Sequence, residues 1–237
     1  KLNETDFLIS GCWTCGWFGT RNDDNQGLGD WIVNCEKLPG GLDPLIGQIH
    51  ALGMKFGLWI EPEMVSENSQ LYRTHPDWAL TLPGRKPAMG RNQLVLDLSR
   101  PEVVDYLAEA IGKLLREHHI EYIKWDMNRS MSDVYSRAFP AEQQGEIMHR
   151  YMLGVYALAE RLTQGFPEVL FEGCAGGGGT GFARSRGYPD QDRPAGHQRH
   201  ALVRRSNGAE RKRSGHDRLP LRRHDHADHL CRARLGL

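Results

Sequence analysis

Glu121-Tyr122-Ile123-Lys124-Trp125-Asp126-Met127-Asn128 is the stretch on which the fold turns. Tyr122, Ile123 and Trp125 give it the apolar body of a strand, while Lys124, Asp126 and Asn128 recur at period two and so share one face near its end. Downstream, Ile147, Tyr151, Val155, Leu158 and Leu162 mark one side of a helix, and a further strand is predicted over Glu168 to Cys174. Upstream, Gln93 to Leu98 reads as a strand. It is followed by Ser99-Arg100-Pro101-Glu102, a capping-box spacing with proline in the first turn, and by a helix bearing Val103, Val104, Leu107, Ile111, Leu114 and Leu115. Earlier still, Pro44, Leu45, Ile46, Ile49 and Leu52 lie on one helical face that Gly53 can close, ahead of the apolar run Phe56-Gly57-Leu58-Trp59-Ile60. Alternation of this kind from Trp17 to Gly179 predicts βα units and a parallel sheet.

Every predicted strand ends in polar residues that its body does not call for: Glu61 and Glu63, Asp97, then Lys124, Asp126 and Asn128, then Glu172 and Cys174. One such residue is ordinarily a helix cap or a loop ion pair. Four successive strands ending this way point to a shared site at the carboxyl edge, where the loops of α/β folds converge on a ligand.

Composition narrows the function classes. The 237 residues are 39% hydrophobic and 25% charged, and no apolar run approaches a bilayer span. No membrane association is expected. Glu4 and Asp6 interrupt the only short apolar stretch near the start, so no cleavable signal is read there. Five cysteines, at 12, 15, 35, 174 and 231, form no disulfide framework. A reducing, cytoplasmic setting is expected.

The zero net charge conceals a division. From Thr180 onward there are 14 Lys and Arg against 6 acidic residues, with 6 of the 11 histidines, no isoleucine, and Val203 as the one β-branched aliphatic. Residues 180–237 are therefore expected to be a disordered or non-native Arg/His-rich tail. Such a tail can serve as a nucleic-acid arm. The competing reading, preferred here, is a GC-rich coding sequence read out of frame, with no nucleic-acid partner.

The motifs Gly57-Leu58-Trp59-Ile60-Glu61-Pro62-Glu63-Met64 and Lys124-Trp125-Asp126-Met127-Asn128-Arg129 closely resemble the retaining α-galactosidases of glycoside hydrolase family 36. So do Gly16-Trp17-Phe18-Gly19 with Arg21-Asn22-Asp23-Asp24, Leu28-Gly29-Asp30-Trp31, His75-Pro76-Asp77-Trp78, Gly90-Arg91-Asn92-Gln93, Leu96-Asp97 and Phe171-Glu172-Gly173-Cys174, in family order. The resemblance implies that residues 15–179 are part of a catalytic (β/α)8 TIM barrel, about its first five or six strands. It implies hydrolysis of terminal α-galactose from oligosaccharides of the melibiose or raffinose type. It also implies a homo-oligomeric parent that needs no cofactor.

Carried over by the resemblance, Asp126 is the nucleophile. Lys124 and Asn128 hold galactose hydroxyls, Arg91 and Trp59 complete the subsite, and Cys174 with Gly177 lies against the sugar. The residue types suit these roles. A carboxylate can form the covalent glycosyl intermediate, and Lys124, two residues earlier on the same face, can stabilise its charge and donate to hydroxyls. Trp59 offers an apolar platform or ordinary packing. Glu61-Pro62-Glu63 could in principle bind a metal or act as acid and base, but the family pattern makes the pair structural. Cys12-x-x-Cys15 lacks a second pair, and the glycine run Gly176 to Gly179 lacks any phosphate-loop context, so neither a metal nor a nucleotide is expected.

Two departures limit the carry-over. A retaining glycosidase needs a second carboxyl group about 5 to 5.5 Å from the first. No acid/base residue is identifiable, since nothing after Thr180 matches the family and Asp190 and Asp192 lack its context. At the front the family carries Val-Leu-Asp-Asp-Gly-Trp, where this chain reads Cys12-Trp13-Thr14-Cys15-Gly16-Trp17. GTG-CTG-GAC read one base late begins TGC-TGG-AC, which encodes Cys-Trp-Thr, so residues 1–14 are treated as a doubtful segment. A barrel lacking strands exposes unpaired edges, and the chain as written is expected to be inactive and prone to aggregate or be degraded.

Overall fold

A computed structural model describes residues 7–10, 16–23 and 25–174, the first four as backbone only. Gly177, Cys12 with Cys15, and the 180–237 tail, each given an expectation above, lie outside the described residues.

Four parallel strands form the main sheet: β1 (Phe7–Ser10), β2 (Lys55–Ile60), β5 (Tyr122–Asp126) and β6 (Leu170–Cys174), in the order β1-β2-β5-β6. β1 falls in the segment that the sequence reading sets apart from the barrel. β2 is buried at every position after Lys55, as expected of a parallel strand covered on both sides. Its Gly57 lies opposite Tyr122, and an added Cβ there would stand 2.7 Å from the Tyr122 ring. Glycine at this point lets an interior aromatic fill the space between two strands.

The helices follow the apolar periodicity. α1 (Asp43–Ala51) buries Ile46 and Ile49, and Gly53 closes it at φ 75° with its N–H donated to the His50 carbonyl at 2.8 Å. Leu52, placed on the buried face by its spacing, is exposed because the helix has already ended there. α3 (Pro101–Glu117) and α4 (Ile147–Gly165) pack on each other and cover the sheet through the apolar positions predicted for them. The predicted capping box at α3 is absent. Arg100 occupies the N-cap without a side-chain bond, and Asp97 organises the turn instead, accepting the Ser99 N–H at 3.1 Å and the Ser99 hydroxyl.

The segment Gln93 to Leu98 departs from the sequence reading more sharply. It does not join the parallel sheet. Its one strand is β4 (Leu94–Val95), which pairs antiparallel with β3 (Met64–Val65), while Leu96 forms a single antiparallel bridge to Ala79. The main sheet runs directly from β2 to β5, with Gly57 to Ile60 in register with Tyr122 to Trp125. The physical reason is the Pro62 turn, where the Met64 N–H bonds back to the Glu61 carbonyl at 3.2 Å. The chain thereby leaves the end of β2 for an excursion over the carboxyl edge. That excursion contains α2 (Gln70–Thr74) and a 3-10 turn at Pro76–Trp78, and α3 then makes the crossover. Among the described residues the barrel is thus represented by four parallel strands, with a two-stranded flap above them.

Candidate functional site

Asp126 ends β5 and is 3% exposed. Its Oδ2 accepts the Trp59 indole N–H at 3.0 Å, and its Oδ1 accepts the Met127 N–H at 3.1 Å. The register explains the meeting. Trp59 lies opposite Lys124, which lies opposite Glu172, while Asp126 lies opposite Cys174. Parallel strands in register send paired side chains to one face, so these residues share the interior side of the carboxyl edge. Trp59 is buried, stacks on Phe18 with centroids 6.5 Å apart, and carries the Arg21 guanidinium 5.5 Å from its ring centroid. Packing and a polar handle on Asp126 are both present in that one side chain.

The other residues singled out by sequence take distinct positions. Lys124 pairs with Glu172, Nζ to Oε1 at 3.7 Å, because Glu172 stands directly across from it while Asp126 is one pleat further on. Burial raises the Glu172 carboxyl above its usual range. Asn128 donates its backbone N–H to Glu61 Oε1 at 2.9 Å, and its buried side-chain Nδ2 has no partner among the described residues. Arg91 sits at φ 55° in the tight Gly90–Gln93 turn of the flap, and its charge reaches Glu61. Asp97 stays away from this group as the turn former described above.

Sequence reasoning undervalued three residues. Glu61 is 1% exposed, accepting from Asn128 N–H through Oε1 and from Gln93 Nε2 at 3.2 Å through Oε2. Burial is the chief cause that pushes its carboxyl up to about 7; the Asn128 N–H opposes this, the neighbouring Asp126 charge adds to it, and Arg91 and Arg21 oppose it. Arg21 is 1% exposed, wedged where Gly16 and Gly27 leave it room and bonded to the Gln26 carbonyl at 3.0 Å. A buried arginine has no one-dimensional signature. Glu63 is fully buried as well, accepting the Trp125 indole N–H at 3.1 Å and the Tyr151 hydroxyl, and thereby ties β5 and α4 to the Pro62 turn.

Glu61 yields a pH prediction with a definite sign. A carboxyl at about 7 in the folded chain and 4.5 when unfolded binds more protons folded than unfolded between those values. Stability therefore falls as pH rises from 4.5 to 7, by about 3 kcal/mol in all, and is level above. Gln93 accommodates the protonated form, since its buried Oε1 lacks a partner among the described residues and an amide flip would turn it toward a Glu61 O–H. Glu61→Gln mimics that form. Urea unfolding should show the variant gaining on the parent chain steadily between pH 5 and pH 7.5; a difference independent of pH would refute the assignment.

The arrangement of a strand-end carboxylate, an indole donor and an edge-facing lysine coincides with a family pattern. A model of the melibiase family matches residues 12–185. The chain belongs to the melibiase family. It is 58% identical over 164 residues to alpha-galactosidase AgaA of Geobacillus stearothermophilus, covering 69% of this chain and 22% of that protein. It is 54% identical over 164 residues to alpha-galactosidase 1 of Pediococcus pentosaceus, with the same shares. The crystal structure of the Geobacillus AgaA, a glycoside hydrolase family 36 enzyme, superposes with a TM-score of 0.70 at 55% identity, over 73% of this chain and 24% of that one. A variant of the same enzyme in complex with raffinose superposes at 0.68, over 73% of this chain and 23% of that one. This melibiase-family chain thus spans less than a quarter of the length of these relatives. The partial (β/α)8 barrel expected from sequence agrees with these neighbours, and no described helix is long and apolar enough to cross a membrane.

Proposed function

We propose that this chain is the nucleophile-bearing part of a retaining α-galactosidase acting in the cytoplasm on terminal α-linked galactose of raffinose-type oligosaccharides. The observation that carries the reading is the buried Asp126 carboxylate at the end of β5, held by Trp59 Nε1 and flanked in register by Cys174. In the first step an Asp126 oxygen attacks the anomeric carbon as the bond to the leaving oxygen breaks, and in the second water displaces the carboxylate. Asn128 Nδ2, buried and without a partner among the described residues, supplies a donor to a sugar hydroxyl, and Lys124 and Arg91 supply charge at the same edge.

A second reading, binding without turnover, draws support from the remaining carboxylates. Glu61 has both oxygens engaged and Glu172 pairs with Lys124, so among the described residues neither stands ready to protonate a leaving group. We accordingly propose that the chain as written does not hydrolyse galactosides. A graft separates the readings: residues 16–174 replace the corresponding segment of the Geobacillus enzyme, which supplies the rest of the barrel. The graft should release galactose from an aryl α-galactoside, with the α-anomer appearing first by proton NMR, while the isolated chain shows no turnover. An inactive but folded graft that still binds galactose would favour the binding reading.

A further inference from the structure

The amino-terminal mouth of the strands, opposite Asp126, carries a side-chain cluster that the sugar chemistry leaves unused. His50 sits in the last turn of α1, Glu121 immediately precedes β5, and His119 lies in the turn that joins α3 to it. His50 Nε2 is 3.1 Å from Glu121 Oε2, and His119 Nε2 is 3.9 Å from Glu121 Oε1. Ligand atoms of all three lie within 4.8 Å of one another, and the two imidazoles meet edge to face with centroids 4.8 Å apart. A tetrahedral ion with bonds of about 2.0 to 2.2 Å spaces its donors roughly 3.3 Å apart. The three side chains need shift only by a fraction of that spacing, and His119, 75% exposed, can swing to meet it.

Simple pairing with a carboxylate accounts for His50 but leaves His119 at a long 3.9 Å contact. A shared ion accounts for both. Glu121 is also held in place, since its Oε2 accepts the Phe56 N–H at 2.9 Å, the kind of outer contact that orients a ligating carboxylate. We infer that His50, His119 and Glu121 form a binding site for a divalent transition ion of the zinc type, with its remaining positions open to water. Two imidazoles with one carboxylate favour such an ion over magnesium or calcium, which prefer all-oxygen shells. The ion joins the end of α1 to β5 and, through the Phe56 N–H, to β2. Features at this end of a barrel act on stability rather than chemistry.

The test is a titration of the full chain with zinc chloride, read by bound equivalents after equilibrium dialysis and by the melting temperature. The tail histidines are a second source of binding, so the decisive comparison is between variants. The parent chain should gain about 5 °C at zinc well above the dissociation constant. His119→Ala should bind one equivalent fewer and lose that gain, whereas a His224→Ala/His226→Ala variant should keep it. His119 is exposed, so its replacement leaves folding intact, and far-UV circular dichroism checks this. The same pair of measurements on the graft, which lacks the tail, covers the case in which the chain is too poorly soluble to melt. Equal stoichiometry and equal melting shifts with and without His119, or no shift in either, would overturn the site.

Discussion

Gly154→Ala should destabilise the folded chain by about 3 kcal/mol. Gly154 lies mid-way along α4, where the helix crosses the backbone of Leu98 in the connection between β4 and α3. A Cβ at this position would fall on the Leu98 carbonyl oxygen and stand 2.8 Å from its carbonyl carbon. Backbone cannot rotate out of the way as a side-chain tip can, and Leu98 is itself 1% exposed within the core. The helix must therefore lift. Lifting it draws Tyr151 away from Glu63 and loosens Tyr151, Val155 and Leu158, all of which are fully buried. The urea midpoint measures the effect, with Gly165→Ala as control. That position, at the end of the same helix, offers an added Cβ no neighbour within 4 Å, and the substitution should leave stability within roughly 1 kcal/mol of the parent. Equal midpoints for the two variants would show that α4 does not pack as described.

In the graft, the proposed function predicts that Asp126→Ala lowers kcat/KM by at least about 10^4-fold, because on that reading the group that forms the covalent bond is removed while binding contacts remain. The cavity left by the carboxylate opens beside the Trp59 indole, whose N–H loses its acceptor. Added azide can enter that space and attack the anomeric carbon of an aryl galactoside, expelling the phenolate and yielding the β-galactosyl azide. Rescue by azide with that stereochemistry separates a lost nucleophile from a lost fold. A variant that keeps most of its rate would remove Asp126 from the reaction. Trp59→Phe provides the companion measurement. It deletes one hydrogen bond to Asp126 and retains most of the aromatic packing on Phe18, so its loss should be smaller by orders of magnitude.

The parts of the architecture legible in the sequence were those with a long period. α3 and α4 show their buried faces at every predicted position, and β2, β5 and β6 announce themselves as apolar runs that end in charge. The flap was not legible as such. β3 and β4 are two residues each, too short for a period to register, and the apolar Leu94-Val95-Leu96 imitates a barrel strand until the register of β2 with β5 excludes it. In the site, Asp126 and Trp59 follow from strand ends and resemblance, but the burial of Glu61 and Arg21 does not. Charged residues are ordinarily solvated, and only tertiary enclosure reverses that expectation. The histidine–glutamate cluster is hidden for a related reason, since His50 and Glu121 lie 71 positions apart and meet only when β2 and β5 pair.

The excursion between β2 and α3 is pinned at its neck by the Leu96 N–H bonded to the Glu63 carbonyl at 2.9 Å. Everything between those two residues is a closed loop of chain that starts and finishes at one point on the rim. Arg91 and Gln93 travel inside that loop, whereas Asp126, Lys124 and Asn128 belong to the barrel wall. The loop is stitched to the wall at a few points, since Gln93 Nε2 bonds Glu61 and the Gln93 carbonyl accepts from Arg129. The reach of Arg91 and the place of the Asp126 carboxylate are thus set by two separate stretches of chain that meet at a single rim.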